Sequence, residues 1–260
     1  MAYTFISGAT GVLGKTYAFY CAERGYNLVI TGRKEESLTK LKEEIASLNP
    51  EVDVKTVACE LSDEKSLENL TAKLSAFDIE RIINVAGIDT QKPFAEYTYE
   101  KALRQIKVNA ESTVAITFSV LNSSKNLKEI LTVSSMSGVT PMPYFALYSA
   151  SKDFLTYFFT ALRLELKEKK VKVTTVLPGG IYTRPDILES IKEQGLWGKL
   201  SAKMPEYVVK KSMKALSKNK AVLVPGFFNK LLYFLMKITP RAITMRYIAH
   251  RWKNLRKDAF

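Results

Sequence analysis

The sequence has almost no histidine and very little cysteine, and both shortages exclude whole classes of site. Its 260 residues include one histidine, His250, and two cysteines, Cys21 and Cys59. A metal centre built from several histidines is therefore impossible, and two cysteines cannot form a zinc cluster or a disulfide framework. Any Ser-His-Asp triad would have to use His250. We expect no metal, and this cysteine usage is typical of a reducing compartment.

The chain also lacks a long uninterrupted apolar run. Residues 1–7 lead directly into a glycine-rich turn, with no basic stretch followed by an apolar segment, so no signal peptide is predicted. The most apolar segment, residues 227–238, is interrupted by Asn229, Lys230 and Lys237. A segment this short cannot span a bilayer. We therefore expect a cytoplasmic protein.

Negative charge is scarce, and the excess of positive charge is concentrated at one end. Lysine and arginine number 39 against 26 aspartate and glutamate, giving a formal net charge of +13. From residue 229 onward, eight basic residues stand against a single acidic one, Asp258, so this segment carries +7 of the excess. The rest of the chain is only mildly basic, which argues against a nucleic-acid-binding surface over the whole protein.

Short β-branched runs alternate regularly with longer amphipathic stretches. Hydrophobic residues make up 47% of the chain and charged residues 25%, as in an ordinary globular protein. Apolar residues at helical spacing, such as Leu38 and Leu41, predict helices over 37–48 and 64–76, the second capped by Asp63. Strands are predicted over 3–7, 27–31, 52–57, 81–85, 129–133, 171–177 and 221–224.

This alternation predicts the fold class. Apolar strands separated by helices favour an α/β fold, a doubly wound parallel sheet (Rossmann fold) covered by helices on both faces. No repeat or low-complexity linker interrupts residues 1–225, which we interpret as one domain. Residues 226–260 are then a C-terminal amphipathic helical extension.

A glycine-rich turn follows the first predicted strand and opens a helix. Residues 7–14 read SGATGVLG. Glycines here let the backbone approach a pyrophosphate, whose negative charge the helix N-terminus then faces. The second strand runs into ITGRK at 30–34, with no carboxylate to accept a hydrogen bond from a ribose 2′-hydroxyl. Arg33 and Lys34 instead offer donors for a 2′-phosphate, so the pattern favours NADP(H) over NAD.

Tyr148 and Lys152 stand four residues apart at the start of a stretch predicted to be helical to about residue 169. Residues four apart lie on one face of a helix, so the Lys152 ammonium would lie one turn from the Tyr148 phenol. A nearby positive charge lowers the pKa of a phenol, which makes Tyr148 a candidate acid and base near neutral pH. A lysine beside a surface tyrosine is common, so the pair alone does not decide the chemistry.

Further motifs accompany this pair along the chain. Residues 84–87 read NVAG, 107–110 read KVNA, 133–138 read VSSMSG, and 178–183 read PGGIYT. With the glycine turn and the Tyr-Lys pair, these segments resemble the short-chain dehydrogenase/reductase family in its single-domain form. The resemblance covers about residues 3–225 and implies an oxidoreductase with a nicotinamide cofactor, here NADP(H).

The resemblance also implies residue roles. Tyr148 would be the general acid in reduction and the base in oxidation, while Lys152 would lower its pKa and hold the nicotinamide ribose. Ser135 would hydrogen-bond the substrate oxygen, and Asn109 would hold a water that relays protons to Lys152. Hydride transfer to a carbonyl leaves an oxyanion, which needs a proton and a fixed hydrogen bond. The positions assigned to cofactor contact are Gly8, Thr10, Gly11, Leu13, Arg33, Glu60, Leu61, Asn84, Ala86, Tyr148, Lys152, Pro178, Gly179, Ile181 and Thr183.

Apolar loops flank the catalytic motifs and indicate the kind of substrate. Their apolar residues are Met136, Pro141, Met142, Pro143, Tyr144 and Phe145 before the tyrosine, and Tyr182, Ile187, Leu188, Leu196 and Trp197 after the Pro-Gly turn. Such a lining suits a bulky hydrophobic carbonyl or alcohol. We expect a hydroxysteroid- or bile-acid-like substrate. An acyl-thioester ketoreductase of lipid synthesis is the alternative, and a non-catalytic NADP(H)-binding protein a more remote one.

The basic C-terminal segment also carries apolar residues at helical spacing. After Pro240, Ile243, Tyr247 and Trp252 recur among arginines. This pattern is typical of a basic amphipathic helix on a membrane surface, and also of a helix that packs over the pocket or a partner subunit. We favour the packed arrangement and leave peripheral membrane contact open. We further expect a homodimer or homotetramer that binds no nucleic acid.

Overall fold

The computed structural model describes residues 1–183, 185–193, 195–253 and 257–258. Its strands are β1 (Ala2–Ser7), β2 (Asn27–Gly32), β3 (Val54–Ala58), β4 (Asp78–Asn84), β5 (Thr90–Gln91), β6 (Glu129–Val133), β7 (Lys172–Val176), β8 (Val222–Leu223) and β9 (Lys257–Asp258). Its helices are α1 (Val12–Ala22), α2 (Glu35–Leu48), α3 (Glu64–Leu74), α4 (Tyr99–Ile106), α5 (Ser112–Ser123), α6 (Ala146–Glu165), α7 (Pro185–Glu193), α8 (Gly195–Ser201), α9 (Pro205–Ser217), α10 (Phe227–Ile238) and α11 (Arg241–Trp252).

Within the described residues, a parallel sheet of seven strands forms the centre of the molecule, in the order β3-β2-β1-β4-β6-β7-β8. The chain moves outward from β1 to β3 and then returns to place β4 on the other side of β1. Such a reversal opens a crevice at the carboxyl ends of the two central strands, where ligands of open α/β sheets bind. The predicted fold class and all seven predicted strands are confirmed, with ends shifted by a few residues.

Two buried apolar layers cover the faces of this sheet. Successive strand residues point to opposite faces, so Phe5 packs toward α3, α5 and α6, while Ile6 packs toward α1, α2 and α9. Phe159 of α6 and Tyr17 of α1 are fully buried in the respective layers. Burying a side chain of this size contributes about 1.5–3 kcal/mol, so the two layers hold the sheet and hence the crevice in place.

A buried ion pair joins β4 to β6 near their amino ends, away from the crevice. Arg81 and Glu129 are register partners, with Arg81 Nε 2.7 Å from Glu129 Oε2 and side chains only 10% and 12% exposed. Arg81 also donates to Thr4 Oγ1 at 3.0 Å and stacks on the Tyr26 ring at 4.5 Å. These contacts span three strands at the end of the sheet opposite the crevice.

The C-terminal extension forms the predicted helical structure as two helices, α10 and α11, which Pro240 separates. Its end differs from the prediction. Lys257–Asp258 is not helical but pairs antiparallel with Thr90–Gln91, because the chain returns to the loop after β4 and completes a two-stranded ribbon there. In the described part of the chain, every helix is too short or too polar to cross a bilayer.

Candidate active site

A cavity of about 670 Å³ lies at the carboxyl edge of the sheet. Residues that closely follow β1, β2, β3, β4, β6 and β7 line it, and side chains of α10 and α11 close one side. The parallel arrangement explains this convergence, since the carboxyl ends of all these strands meet at one edge. The cavity is therefore the place where the sequence motifs come together.

The turn between β1 and α1 leaves no space for a side chain at two of its glycines. Gly8 has φ +64°, and a Cβ atom there would lie 2.9 Å from the Ala86 Cα. A Cβ on Gly14 would collide with the Gly8 carbonyl, so α1 packs directly on the turn. The N-cap of α1, Gly11, supplies no side-chain hydrogen bond to the first helical N–H groups. These N–H groups and the bare backbone fit a pyrophosphate at the helix N-terminus.

Charged side chains surround the far end of the same cavity. Arg33 is exposed directly after β2 and lines the cavity beside Glu60. Burial opposes ionisation of Glu60, but hydrogen bonds from Ser62 and the positive charges of Arg104 and Arg33 outweigh it and lower the pKa of the carboxyl. Arg104 Nη2 lies 3.3 Å from Glu60 Oε2. The guanidinium groups of Arg33 and Arg104 therefore both lie near Glu60 at this end of the cavity.

Lys152 is 3% exposed, one helical turn after Tyr148 on α6. Its Nζ donates to the Val133 carbonyl at 3.1 Å and lies 5.6 Å from the centroid of the Tyr148 ring. Burial lowers the pKa of Lys152 to about 8, although the negative charge of Asp89 acts in the opposite direction. A Cβ on Gly87 would lie 3.1 Å from this Nζ, so a larger residue there would crowd the ammonium.

Aromatic stacking holds Tyr148 from its other side. The Phe145 ring stacks on Tyr148 with centroids 4.4 Å apart, and Trp252 of α11 packs edge-on against Phe145 at 5.8 Å. Ser135 lies at the cavity wall just after β6, where its Oγ accepts a hydrogen bond from the Ser137 N–H at 3.1 Å. The hydroxyl hydrogen of Ser135 is left to donate to another acceptor.

Asn109 lies behind the cavity wall in a π-helical turn between α4 and α5, a distortion that often marks functional sites. Its Oδ1 accepts from the Ile88 N–H at 2.8 Å, and its Nδ2 donates to the Ile88 carbonyl at 2.9 Å and to Ser151 Oγ at 3.0 Å. Oδ1 is also 3.5 Å from a Cβ built on Gly87, so Asn109 and Lys152 flank the same glycine. Asn109 braces the loop after β4 and does not itself line the cavity.

The structure brings most of the predicted site residues together around the cavity. Asn109 and Asn84 are the two that do not line it. The Asn84 side chain points from the end of β4 onto the face of the sheet, where Nδ2 donates to Thr132 Oγ1 at 3.2 Å and more weakly to Thr117 Oγ1 at 3.4 Å. The predicted residues that do line the cavity are Gly8, Thr10, Gly11, Leu13, Arg33, Glu60, Leu61, Ala86, Ser135, Tyr148, Lys152, Pro178, Gly179, Ile181 and Thr183.

The apolar wall differs from the one expected. Met136, Met142 and Phe145 line the cavity, but Leu196 and Trp197 of α8 lie on the outer surface, 70% and 49% exposed. The side chain of Ile187 lies outside the described residues. Sequence reasoning missed several lining residues: Gln91, Arg104, Ile191, Leu232 and Met236. Trp252 also lines the cavity and belongs to the segment that was expected to pack over the pocket. The helical spacing of Leu232 and Met236 in the tail was the available signal for two of them.

This arrangement suits proton transfer beside an apolar surface. A phenol next to a buried ammonium can give up and recover a proton, because the ammonium stabilises the phenolate. A serine hydroxyl on the same wall can donate a hydrogen bond to a developing oxyanion. The glycine-rich turn, Arg33 and Arg104 lie further along the carboxyl edge of the sheet. Together with the Tyr148–Lys152 pair they form an elongated groove that suits a dinucleotide.

The fold and this site define a family. A family model described as short chain dehydrogenase matches residues 2–194, and the chain belongs to the short-chain dehydrogenase family. Members of this family are oxidoreductases that use a nicotinamide cofactor.

Curated relatives of the chain share one description. The very-long-chain 3-oxoacyl-CoA reductase of Bos taurus is 32% identical over 219 residues, which are 81% of this chain and 67% of that protein. The proteins of the same name from Kluyveromyces lactis and Coccidioides immitis are 37% and 33% identical, over 68% of this chain in each case. The chain spans about two thirds of the bovine relative, and its matches cover 54% and 52% of those two fungal proteins.

Solved structures share the architecture at lower identity. A 7beta-hydroxysteroid dehydrogenase has a TM-score of 0.83 at 24% identity, over 95% of this chain and 96% of that one. A short-chain dehydrogenase from Sphingobium yanoikuyae in complex with NADPH has a TM-score of 0.73 at 22% identity, over 93% and 98%. These likenesses support the fold.

Proposed function

We propose that this protein reduces the ketone of a hydrophobic 3-oxoacyl thioester with NADPH, and that it catalyses the reverse oxidation when the substrate supply favours it. The observation that carries the proposal is the Tyr148–Lys152 pair, positioned between a dinucleotide-sized groove and an apolar wall. A site that only binds the cofactor would not need a phenol beside a buried ammonium on that wall.

The protein residues supply everything except the hydride, which the bound nicotinamide provides to the carbonyl carbon. Tyr148 donates its phenolic proton to the carbonyl oxygen, so hydride and proton together give the alcohol. The Lys152 ammonium, with a pKa of about 8, is largely protonated at neutral pH and stabilises the resulting phenolate. Ser135 donates a hydrogen bond to the carbonyl oxygen as negative charge develops on it.

The charged end of the groove favours NADP(H). Arg33 is exposed at the carboxyl end of β2, the position from which side chains reach the adenosine ribose. Glu60, which lines the cavity beside Arg33, is already hydrogen-bonded to Ser62 and paired with Arg104. A 2′-phosphate would meet guanidinium donors here, whereas a bare 2′-hydroxyl would lack an available carboxylate.

The choice of substrate class rests on the relatives and the wall. The curated relatives carry the name very-long-chain 3-oxoacyl-CoA reductase at 32–37% identity, and the wall formed by Met136, Met142 and Met236 is flexible and apolar, as an acyl chain requires. A hydroxysteroid- or bile-acid-like substrate, the first expectation from the sequence, becomes the second candidate. Its support is the aromatic surface on the same wall, where the Phe145 ring stacks on Tyr148 and meets the Trp252 ring edge-on.

The proposal also includes the domain division, the oligomeric state and the cellular location of the protein. Residues 1–225 are the Rossmann domain, and residues 226–260 are an extension that completes its pocket. A homodimer or homotetramer is supported by the aromatic side chains of Phe118, Phe154 and Tyr157, which stand exposed on α5 and α6. The location we propose is the cytoplasm, in peripheral contact with a membrane.

The test is NADPH oxidation by the purified protein with 3-oxoacyl-CoA substrates of increasing chain length, and in parallel with ketosteroids and with NADH. We expect the highest kcat/KM for long-chain thioesters with NADPH. Tyr148→Phe removes the proton donor and should lower kcat by about 10²-fold or more. The matched control is Tyr157→Phe, which alters an exposed tyrosine of the same helix and should leave kcat unchanged.

Other results of these assays would favour a different function or contradict the role of Tyr148. A higher kcat/KM for ketosteroids than for thioesters would assign the second candidate function. Near-normal turnover by Tyr148→Phe would contradict the catalytic role of that residue. NADPH binding without oxidation of any substrate in the panel would favour a binding protein.

A further inference from the structure

The outward face of α10 is apolar along its whole length. Its exposed residues Phe227, Leu231, Phe234, Leu235 and Ile238 lie on one side of the helix, and their exposed fractions run from 41% to 85%. An apolar row of this length is unusual on a protein surface and marks a binding surface.

Helix α8 extends this apolar row sideways. Leu196, Trp197 and Leu200 are exposed on α8, and the Trp197 ring packs against Phe228 of α10 with centroids 5.3 Å apart. Buried Asn229 fixes the two helices together, since its amide donates to the Ser201 carbonyl at 2.8 Å. We call the exposed apolar residues of α8 and α10 the docking face.

The segment that carries α10 and α11 is rich in positive charge. Residues 227–253 contain six basic residues and no aspartate or glutamate. Lys230 and Lys237 are exposed on α10 itself, and Arg241 and Arg246 follow on α11. Aromatic and aliphatic side chains framed by lysine and arginine are the composition of helices that lie in the headgroup region of a bilayer.

We propose that the docking face binds the surface of an anionic lipid bilayer. A second copy of this chain is disfavoured as the occupant, because a two-fold interface would place this face against itself. The cationic groups of α10 and α11 would then oppose one another with no acidic partner on these helices. Anionic headgroups complement both properties, since they pair with the cations while their acyl region accepts the apolar side chains.

The inner face of α10 lines the cavity, so docking of its outer face would bring the cavity close to the membrane. Asn229, Leu232 and Met236 of α10 line the cavity. An α-helix is only about 10 Å across, so docking would place the cavity within about one helix diameter of the lipid. This step rests on the proposed function: an apolar substrate dissolved in the bilayer would be taken up at the membrane surface.

The experiment measures co-sedimentation of the full chain with vesicles. Phosphatidylcholine vesicles with about one third phosphatidylserine should bind the protein, and vesicles of phosphatidylcholine alone should bind it less, because each basic residue near an anionic surface strengthens binding about fivefold. Binding should weaken at about 1 M salt, where the Debye length falls to about 3 Å.

A matched pair of double variants tests the face itself. Leu231→Ser with Phe234→Ser alters side chains that are 45% and 57% exposed on the docking face. Leu48→Ser with Phe94→Ser alters side chains that are 47% and 61% exposed elsewhere. The first variant should lose at least about tenfold in vesicle affinity, because two apolar side chains no longer enter the lipid, and the second should not.

Two results would overturn the proposal: absence of binding to anionic vesicles, or equal binding by both double variants. Loss of a dimer in sedimentation velocity for the first variant, with no vesicle binding by wild type, would assign the face to a second copy instead. Neither result depends on the substrate. Failure of the thioester assay with intact vesicle binding would contradict only the proposed function and the substrate-uptake step.

Discussion

At the scale of single residues, the site contains a buried lysine, Lys152, whose ammonium group is removed from water. Among the residues that the structure describes, Lys152 has one hydrogen-bond partner for its Nζ, the Val133 carbonyl, and Gly87 lies close beside this Nζ. The cost of this burial appears in the pKa of about 8, below the ordinary value of 10.5. The protein therefore carries a stability penalty at the residue that its proposed chemistry needs most.

That penalty predicts a pH dependence of stability in the cofactor-free protein. Below pH 8 Lys152 is protonated in both states, and the folded state bears the full cost of burying the charge. Between pH 8 and pH 10.5 the folded state releases the proton while the unfolded state keeps it, so stability rises with pH. Lys152→Met should therefore be more stable than wild type at pH 7, by at most about 3 kcal/mol, with an advantage that shrinks toward pH 10.5.

Urea denaturation across this pH range measures the difference. Leu155→Met, a buried change on the same helix without a charge, serves as the control and should differ from wild type by a constant amount. A constant difference for Lys152→Met would mean that Lys152 has the same pKa in both states.

Cofactor selection gives a second prediction at this scale. Arg33→Ala should weaken NADPH binding by about 1.5–3 kcal/mol, the loss of a charge-assisted hydrogen bond, and leave NADH nearly unchanged. Titration calorimetry with both cofactors measures this. Arg24→Ala removes an arginine at the end of α1, outside the cavity, and should affect neither. Equal losses for both cofactors would give Arg33 a structural role.

The sequence predicted which residues come together at the cavity, but it did not predict the direction in which each side chain points. Motif order placed Ser135, Tyr148 and Lys152 at one edge because strand ends must meet there. It could not show that Asn84 points onto the sheet face, since that depends on the direction of one side chain at a strand end. Arg104 was missed because it comes from α4, which no motif marks, and reaches Glu60 only through the tertiary fold.

At the scale of elements, the sheet is stabilised at the end away from the site. Arg81→Met should remove the partner of Glu129 and lower the free energy of unfolding by about 3 kcal/mol, because a buried charge is left with only the longer contact to Lys172. NADPH affinity should not change, since Arg81 does not line the cavity.

Urea denaturation and cofactor titration of the same variant separate these two effects. The control, Lys128→Met, breaks the exposed pair between Lys128 and Glu80 and should cause no measurable change in stability. Equal stability of Arg81→Met and wild type would show that the buried pair contributes nothing net.

Periodicity predicted the elements because each one buries a regular apolar stripe. The helix that starts after Asp63 is capped as expected, with the carboxylate accepting from the Ser66 N–H at 2.8 Å. The ribbon between β5 and β9 was not predictable, since two-residue strands carry no periodic pattern and pair across more than 160 residues of chain.

At the scale of the whole molecule, the C-terminal extension is the part that sequence reasoning left most open. Its composition was compatible with a pocket cover and with a membrane-binding helix. The structure places Leu232 and Met236 inside and Phe227 and Phe234 outside, so one helix presents apolar residues on both sides. Composition could not reveal this, because a helix apolar on two faces has no single polar side to orient it.

The contact between Trp252 and Phe145 also sets an order of assembly. The sheet is complete at β8, and domains generally fold from the N-terminal side during synthesis. Tyr148 and Lys152 can thus be in place on α6 before residues 227–252 leave the ribosome. The pocket then closes through contacts between residues about a hundred positions apart, which form slowly. A nascent chain would then pass through a stage with Tyr148 and Lys152 in place on α6 and the apolar wall of the cavity still incomplete.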